Sequence, residues 1–142
     1  MRTRLRRNER GAALIETAIT VPIILLVCIA IFEFGRAYQT WQVLTNAARE
    51  GARVAILMGK TDDDVRNAVR NYLDAGGMDE DAAGVSIERT VPLGTNTGSK
   101  ITVSYPFTFQ LLPGLSNLVA KGSNTGKSMT TMQSVAFMRN EN

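Results

Sequence analysis

Histidine is absent from the 142 residues, and cysteine occurs once, at Cys28. Without an imidazole there is no Ser-His-Asp or Cys-His nucleophile, no His-ligated zinc and no imidazole proton shuttle. A single thiol forms neither an internal disulfide nor a cysteine cluster. The enzymatic repertoire left to such a chain is narrow. Positive charge is also scarce once its location is considered. Arg2, Arg4, Arg6, Arg7 and Arg10 are five of the sixteen basic groups and face only Glu9. From residue 12 onward eleven basic groups stand against twelve acidic ones. The sequence pI of 9.4 therefore describes a basic tip on a nearly neutral body.

Beyond the tip lies an uncharged run, Thr17 to Phe32, of sixteen residues. It lengthens to a span if Ala12 to Glu16 are included, since crossing about 30 Å of hydrocarbon takes about 20 helical residues. The inclusion requires Glu16 to have a partner other than lipid. Arginines directly before the span predict a cytoplasmic N-terminus and an external C-terminus, with one pass through the membrane. A cleaved secretory signal ending at Ala30 fits less well, because Ile31, Phe32 and Phe34 prolong the apolar character where a polar region is needed. A lipoprotein site at Cys28 is disfavoured by the bulky Val27. Pro22 removes one backbone donor inside the span and is expected to bend or loosen the helix there.

Helical character continues beyond the span with only Gly35 and Gly51 as weak points, which predicts a helix from about Ala12 to Leu57 or Met58, stopped by Gly59. At 1.5 Å per residue this is roughly 70 Å, more than twice the apolar thickness of a bilayer. The outer half must pack on something soluble. Ala37, Trp41, Leu44, Ala48, Gly51, Ala52 and Ala55 recur at three- and four-residue spacing, and the small residues among them allow close helix packing, either within the domain or against other subunits. Arg49, Glu50 and Arg53 edge this stripe. A second helix is signalled by Thr61 as a cap, by Asp62, Asp63 and Asp64 in its first turn, by an apolar face of Val65, Ala68, Val69, Tyr72 and Leu73, and by Gly76 and Gly77 at its end.

Three strands complete the chain, at residues 85–91, 100–109 and about 128–138. The middle one alternates, with Ile101, Val103, Tyr105, Phe107 and Phe109 on one face, as in a sheet with one covered side. Pro106 predicts an edge position or a bulge, and Gly94, Gly98 and residues 122–127 are read as turns. The expected fold class is α+β: a long N-terminal transmembrane helix continuing into an external domain with a second helix and a three-stranded antiparallel sheet. Leu111, Leu112, Leu115, Leu118 and Val119 are expected either to cover that sheet or to meet a partner.

Motifs with chemical content are few. The string Gly122 to Ser128 resembles a phosphate loop but has three residues between its glycines where four are required, and it leads into a strand. The acidic clusters Asp62/Asp63/Asp64 and Asp79/Glu80/Asp81 lack the calcium-loop spacing. Glu16 and Glu33 lie about 25 Å apart along one helix, too far for joint acid-base work. No catalytic set, metal site or cofactor is expected. The basic tip lacks interleaved aromatics, so anionic lipid headgroups suit it better than nucleic acid.

The informative order is arginines, Gly11, Ala12-Ala13-Leu14-Ile15, Glu16, then the apolar run. An ionisable group inside a span costs a few kcal/mol and signals function. A cut after Gly11 would create an ammonium at Ala12, four residues from Glu16 and able to pair with it or with a neighbour's. This order resembles the processing site of type IV prepilins and pseudopilins. The stretch GAALIETAITVPIILLVCIAIFEFGRAYQTWQVLTNAAREGARVA resembles the TadE family of tight-adherence (Flp) pilus assembly proteins, through Pro22, Glu33 to Arg36 and Asn46 to Arg53. The resemblance implies cleavage between Gly11 and Ala12 by a membrane-embedded prepilin peptidase, with Glu16 serving recognition, assembly or both. It implies a leader (1–11), a transmembrane helix (12–34) and an external pilin-like domain (35–142) in the bacterial inner membrane. Other pilins or pseudopilins, the assembly platform and membrane lipid would be its partners. Thr17 stands where Flp major pilins carry tyrosine, which points to a minor subunit. The competing reading is an unprocessed, signal-anchored protein with an external ligand-binding or sensing domain.

Overall fold

The computed structural model describes residues 6–93, 96–111 and 129–139, with only the backbone described for 6–10 and 93. Arg6–Ala55 forms one helix, α1, of 50 residues, about 75 Å long at 1.5 Å per residue. It starts earlier than Ala12 because Arg and Glu are good helix formers and nothing between Arg6 and Gly11 breaks the pattern. Pro22 lies inside it without ending it.

At its other end α1 stops at Ala55, short of the expected Leu57 or Met58. The last turn tightens, with Leu57 N donating to Val54 O at 3.1 Å, and Gly59 takes a left-handed φ of 77°. The Ala55 carbonyl is instead satisfied by the Arg89 guanidinium at 3.1 Å, which also donates to Lys60 O and to the Asp62 carboxylate. A strand residue thus closes the helix and the loop after it.

Helix α2, Asp62–Ala75, opens with the expected capping box. Thr61 N donates to the Asp64 carboxylate at 2.9 Å and Asp64 N donates to Thr61 Oγ1 at 3.3 Å. The Thr61 backbone N–H, aided by its hydroxyl, holds the Asp64 carboxyl below the usual carboxylate range. Val65, Val69 and Leu73 are fully buried, while Tyr72 at the margin of that face stays exposed. A short 3-10 turn, Glu80–Ala82, leads to the sheet.

The sheet is antiparallel and ordered β1 (Gly84–Leu93), β2 (Asn96–Thr108), β3 (Met129–Arg139). The alternation read in the middle strand is realised: Ile101, Val103 and Phe107 are buried. Ile101 stands between Ile87 and Ala136, and Val103 between Val85 and Ser134. Two expectations need correction. The strand carrying Pro106 is central, not an edge, but β1 begins at Gly84 opposite Ser104, so at Pro106 only Thr131 of β3 is paired. A residue without an N–H is accepted where one neighbour has already ended. The bulge lies in β1, where Arg89 and Thr90 interrupt the register between Glu88 and Val91. Gly98 is not a turn residue; it is paired with both Val91 and Arg139. Gly94, the string 122–128, and Leu112, Leu115, Leu118 and Val119 lie outside the described residues.

Both helices cover one face of the sheet, giving a two-layer α+β domain. Its core joins Leu44, Ala47, Ala48, Ala52 and Ala55 of α1 with Val65, Val69 and Leu73 of α2 and Ile101, Val103 and Ala136 of the sheet. Gly51 is a point of close approach in this packing: a methyl group there would lie 2.6 Å from Val69 Cγ2 and 3.3 Å from Ile101 Cγ2.

Gly51→Val is expected to destabilise the domain by about 1–3 kcal/mol through overpacking. Gly35→Ala meets no atom within 4 Å and is expected to stabilise α1 by about 0.5–1 kcal/mol. Thermal melts of the detergent-solubilised chain, followed by near-UV circular dichroism, read the opposed signs. Because the Asp64 carboxyl is depressed in the folded state, the cap contributes above about pH 4 and its contribution is lost as pH falls through the folded value. Thr61→Ala is expected to cost about 1 kcal/mol at neutral pH and to flatten this acid limb of a stability-against-pH curve.

Candidate functional site

The residues singled out at the start of α1 share one exposed stretch of helix. Gly11, Ala12 and Glu16 are all exposed, in the second and third turns. Ala12 and Glu16, four apart, lie on one face. Among the described residues nothing pairs with Glu16. Thr17 hides its hydroxyl by donating to Ala13 O at 2.8 Å, a local solution that suits an apolar environment. The run beyond is long and apolar enough to cross a membrane, and none of its most apolar window is buried by the rest of the chain. Leu14, Ile19, Ile24, Leu25 and Ile31 are among the large side chains left bare there, and Cys28 is exposed among them.

The polar feature that sequence reasoning missed is at the other end of this run. Glu33 is 0% exposed. Its carboxylate accepts from the backbone N–H of Gln110 at 2.8 Å, from the N–H of Leu111, and from Arg36 Nη1 at 3.0 Å. Arg36 in turn sits over the Phe107 ring, 5.4 Å from its centroid, and Phe107 meets Phe109 edge to face at 5.2 Å. Here the end of β2 is tied to α1 by charge-assisted hydrogen bonds, the stronger kind. The i,i+3 spacing of Glu33 and Arg36 at the end of an apolar run was a visible signal. The two backbone donors, 77 and 78 residues away, were not.

The small-residue stripe is consumed within the chain. Ala48 and Ala52 are completely buried, Ala55 and Gly51 nearly so, and Ala37 is half-buried. The contact surface they offer is taken by α2, β2 and β3. Trp41 departs from this pattern and is 46% exposed. Beside the stripe, Arg53 pairs with Glu50 at 2.6 Å, and the hydrogen bond from Arg53 holds the Glu50 carboxyl below its ordinary value.

The acidic clusters are occupied in the same structural way. Asp62 pairs with Arg89 at 2.6 Å and Asp63 with Arg66 at 3.1 Å, while Asp64 caps α2. Asp79 caps the 3-10 turn by accepting from Asp81 N. Among the described residues no group of three or more Cys, Asp or Glu is placed to hold a metal. Two shallow grooves sharing Gln39, Val43 and Gly76 run between α1 and the end of α2, the larger about 370 Å³. Neither converges charged groups in the manner of a catalytic pocket.

Residues 11–53 match the family model described as TadE-like protein. The match covers Gly11, Glu16, Pro22, Glu33 and the small-residue stripe as far as Ala52, and stops before Ala55, α2 and the sheet. Neither the curated proteins nor the solved structures contain a match to the chain.

Replacing Glu33 by alanine leaves the Gln110 and Leu111 N–H groups without their acceptor, at a cost of about 1–3 kcal/mol. The expected result is faster hydrogen exchange and earlier proteolysis at residues 107–111, with the core around Ile101 and Leu44 unaffected. Uniform loss of protection, or none, would show that the tie is not local.

Proposed function

We propose that the chain, whose residues 11–53 match the TadE-like family model, is a minor pilin or pseudopilin of a tight-adherence (Flp) pilus, a structural component and not a catalyst. It is made as a precursor, inserted with its arginine-rich end on the cytoplasmic side, and cut between Gly11 and Ala12 by a prepilin peptidase. The observation that carries the reading is the order of Gly11, Ala12 and Glu16 on an exposed helix end that feeds an unburied apolar run.

The chemistry of that order is coherent. Gly11 is the weakest helix former in its neighbourhood, so the bond after it is the easiest in these turns to expose to a protease. Cleavage removes the arginine-rich segment and creates an ammonium at Ala12, on a helix N-terminus whose dipole disfavours positive charge. The Glu16 carboxylate, one turn along on the same face, offsets that charge in its own chain or in a neighbour's. Pairing also offsets the cost of placing Glu16 within hydrocarbon. The buried tie at Glu33 then holds the external domain to the helix where it leaves the apolar run. Partners in this reading are the peptidase, other pilins or pseudopilins, the assembly platform and lipid.

Intact-mass measurement of membrane-extracted protein tests the reading directly. In cells with an active prepilin peptidase the chain is expected to begin at Ala12, and Gly11→Ala is expected to leave most of it uncut. Glu16→Ala is expected to impair recruitment into the pilus or its base. A persistent leader, or an N-terminus after Ala30, would sink the proposal in favour of a signal-anchored external domain, as would a silent Glu16→Ala.

A further inference from the structure

Above the apolar run, α1 shows a second exposed surface that neither the described residues of the domain nor the processing site uses. Phe34 is 71% exposed, Tyr38 60% and Trp41 46%. Their three- and four-residue spacing puts them on one face, continuing the line of Val27 and Ile31, which are also exposed. The Tyr38 and Trp41 rings lie 6.1 Å apart, and Gln42 donates to the Tyr38 hydroxyl at 2.6 Å. The domain grips a different side of the helix at this height, through Glu33 and Arg36, and the Arg36 charge is drawn over there to Phe107.

We propose that the Phe34, Tyr38 and Trp41 face is immersed in the outer interfacial layer of the lipid bilayer, seating the lower end of the domain on the membrane surface. The inference rests on the reading of residues 12–34 as a membrane span. Tyrosine and tryptophan, with an apolar body and a polar tip, are the residues that favour the headgroup layer. The face is continuous with the apolar run, and its own side chains bring no charge to it. The lengths agree. From Ala12 to Phe34 the helix rises about 34 Å, slightly more than the hydrocarbon thickness of about 30 Å, so it tilts. Trp41 lies about 10 Å further along the axis, and the headgroup region adds about 5–8 Å on each side. A tilt toward this face, the side free of the domain at that level, brings Trp41 into that layer. Leu111, whose backbone N–H is part of the tie to Glu33 and whose side chain is exposed, lies at the same end of the domain.

Trp41 is the only tryptophan, so its fluorescence reports this position alone. The full chain is reconstituted in vesicles of phosphatidylcholine and phosphatidylglycerol whose acyl chains are brominated either near the glycerol end or near the methyl end. The expected result is a blue-shifted emission, protection from aqueous acrylamide, and quenching by the glycerol-end label about twofold or more stronger than by the methyl-end label. Dilution of the protein in excess lipid should leave these values unchanged. Moving the reporter one turn toward the span, with Tyr38→Trp and Trp41→Phe together, should deepen it and raise the methyl-end quenching. Emission typical of hydrated indole overturns the proposal. So does an indole shielded from acrylamide without any lipid-borne quenching, which would mean cover by protein, and so does shielding lost on dilution, which would mean contact with a second copy. Vesicle flotation in the same samples separates the two levels: floating protein with a hydrated Trp41 overturns the seating alone, and protein that does not float overturns the anchor as well.

Discussion

One continuous helix has to serve two solvents, and the constraint that organises the molecule is where it passes from one to the other. From Thr17 to Phe32 the side chains of α1 are uncharged and mostly left uncovered by the chain; from Leu44 onward one face is sealed against α2 and the sheet. Glu33 marks the passage. A carboxylate there, beside hydrocarbon, would be prohibitively placed unless fully hydrogen-bonded. Two backbone N–H groups and a guanidinium supply the bonds, and the requirement is met only when the end of β2 is docked. Placing the charge at this point therefore dictates where the sheet attaches and in which direction β2 runs, toward the apolar run.

The rest of the domain is shaped by bringing two helices and a sheet close to that fixed line. Alanine and glycine at positions 47, 48, 51, 52 and 55 let α2 and β2 approach the helix backbone, with Gly51 nearly touching Val69. At the far end Arg89, displaced at the bulge of β1, reaches the Ala55 carbonyl and the Asp62 side chain. The helix is thus tied at both ends of its domain-bearing half, by an acid from α1 onto the backbone just after β2 and by a base from a strand onto helix backbone.

Patterns confined to one element were legible before the fold was known. The alternation from Ile101 to Phe107, the Thr61 to Asp64 box and the small-residue stripe each state a local geometry that tertiary packing then uses. Features that depend on which element lies beside which were not. Nothing about Pro106 says that its strand is central, because the relief comes from the point at which β1 ends. Gly98 reads as a turn until two partners pair with it. The burial of Glu33 rests on backbone donors that carry no side-chain signature. Trp41 shared the spacing of the stripe, yet stays exposed where Ala48 and Ala52 are buried.

The fate of the stripe bears on how such a subunit could assemble. Small residues four apart are equally suited to packing against a copy and to packing at home, and here the home domain occupies Ala48, Ala52 and Ala55 completely or nearly so. An intersubunit contact through them would require the domain to open, at the cost of the core they share with Val69 and Ile101. Along α1, the surfaces that the described residues leave open are the apolar run with Glu16 and the aromatic face above it. Both are stable in a membrane, and both are the kind of surface that a packed bundle of identical helices could cover in place of lipid, with the charge at Glu16 matched by an ammonium at the same depth. Exchange of one apolar environment for another costs little in hydrophobic free energy, so specificity must reside in that charge pair and not in the apolar contact. If the chain assembles as proposed, the selective role falls to Glu16, and Glu33, satisfied within its own chain, keeps the domain aligned with the helix while the surroundings of α1 change.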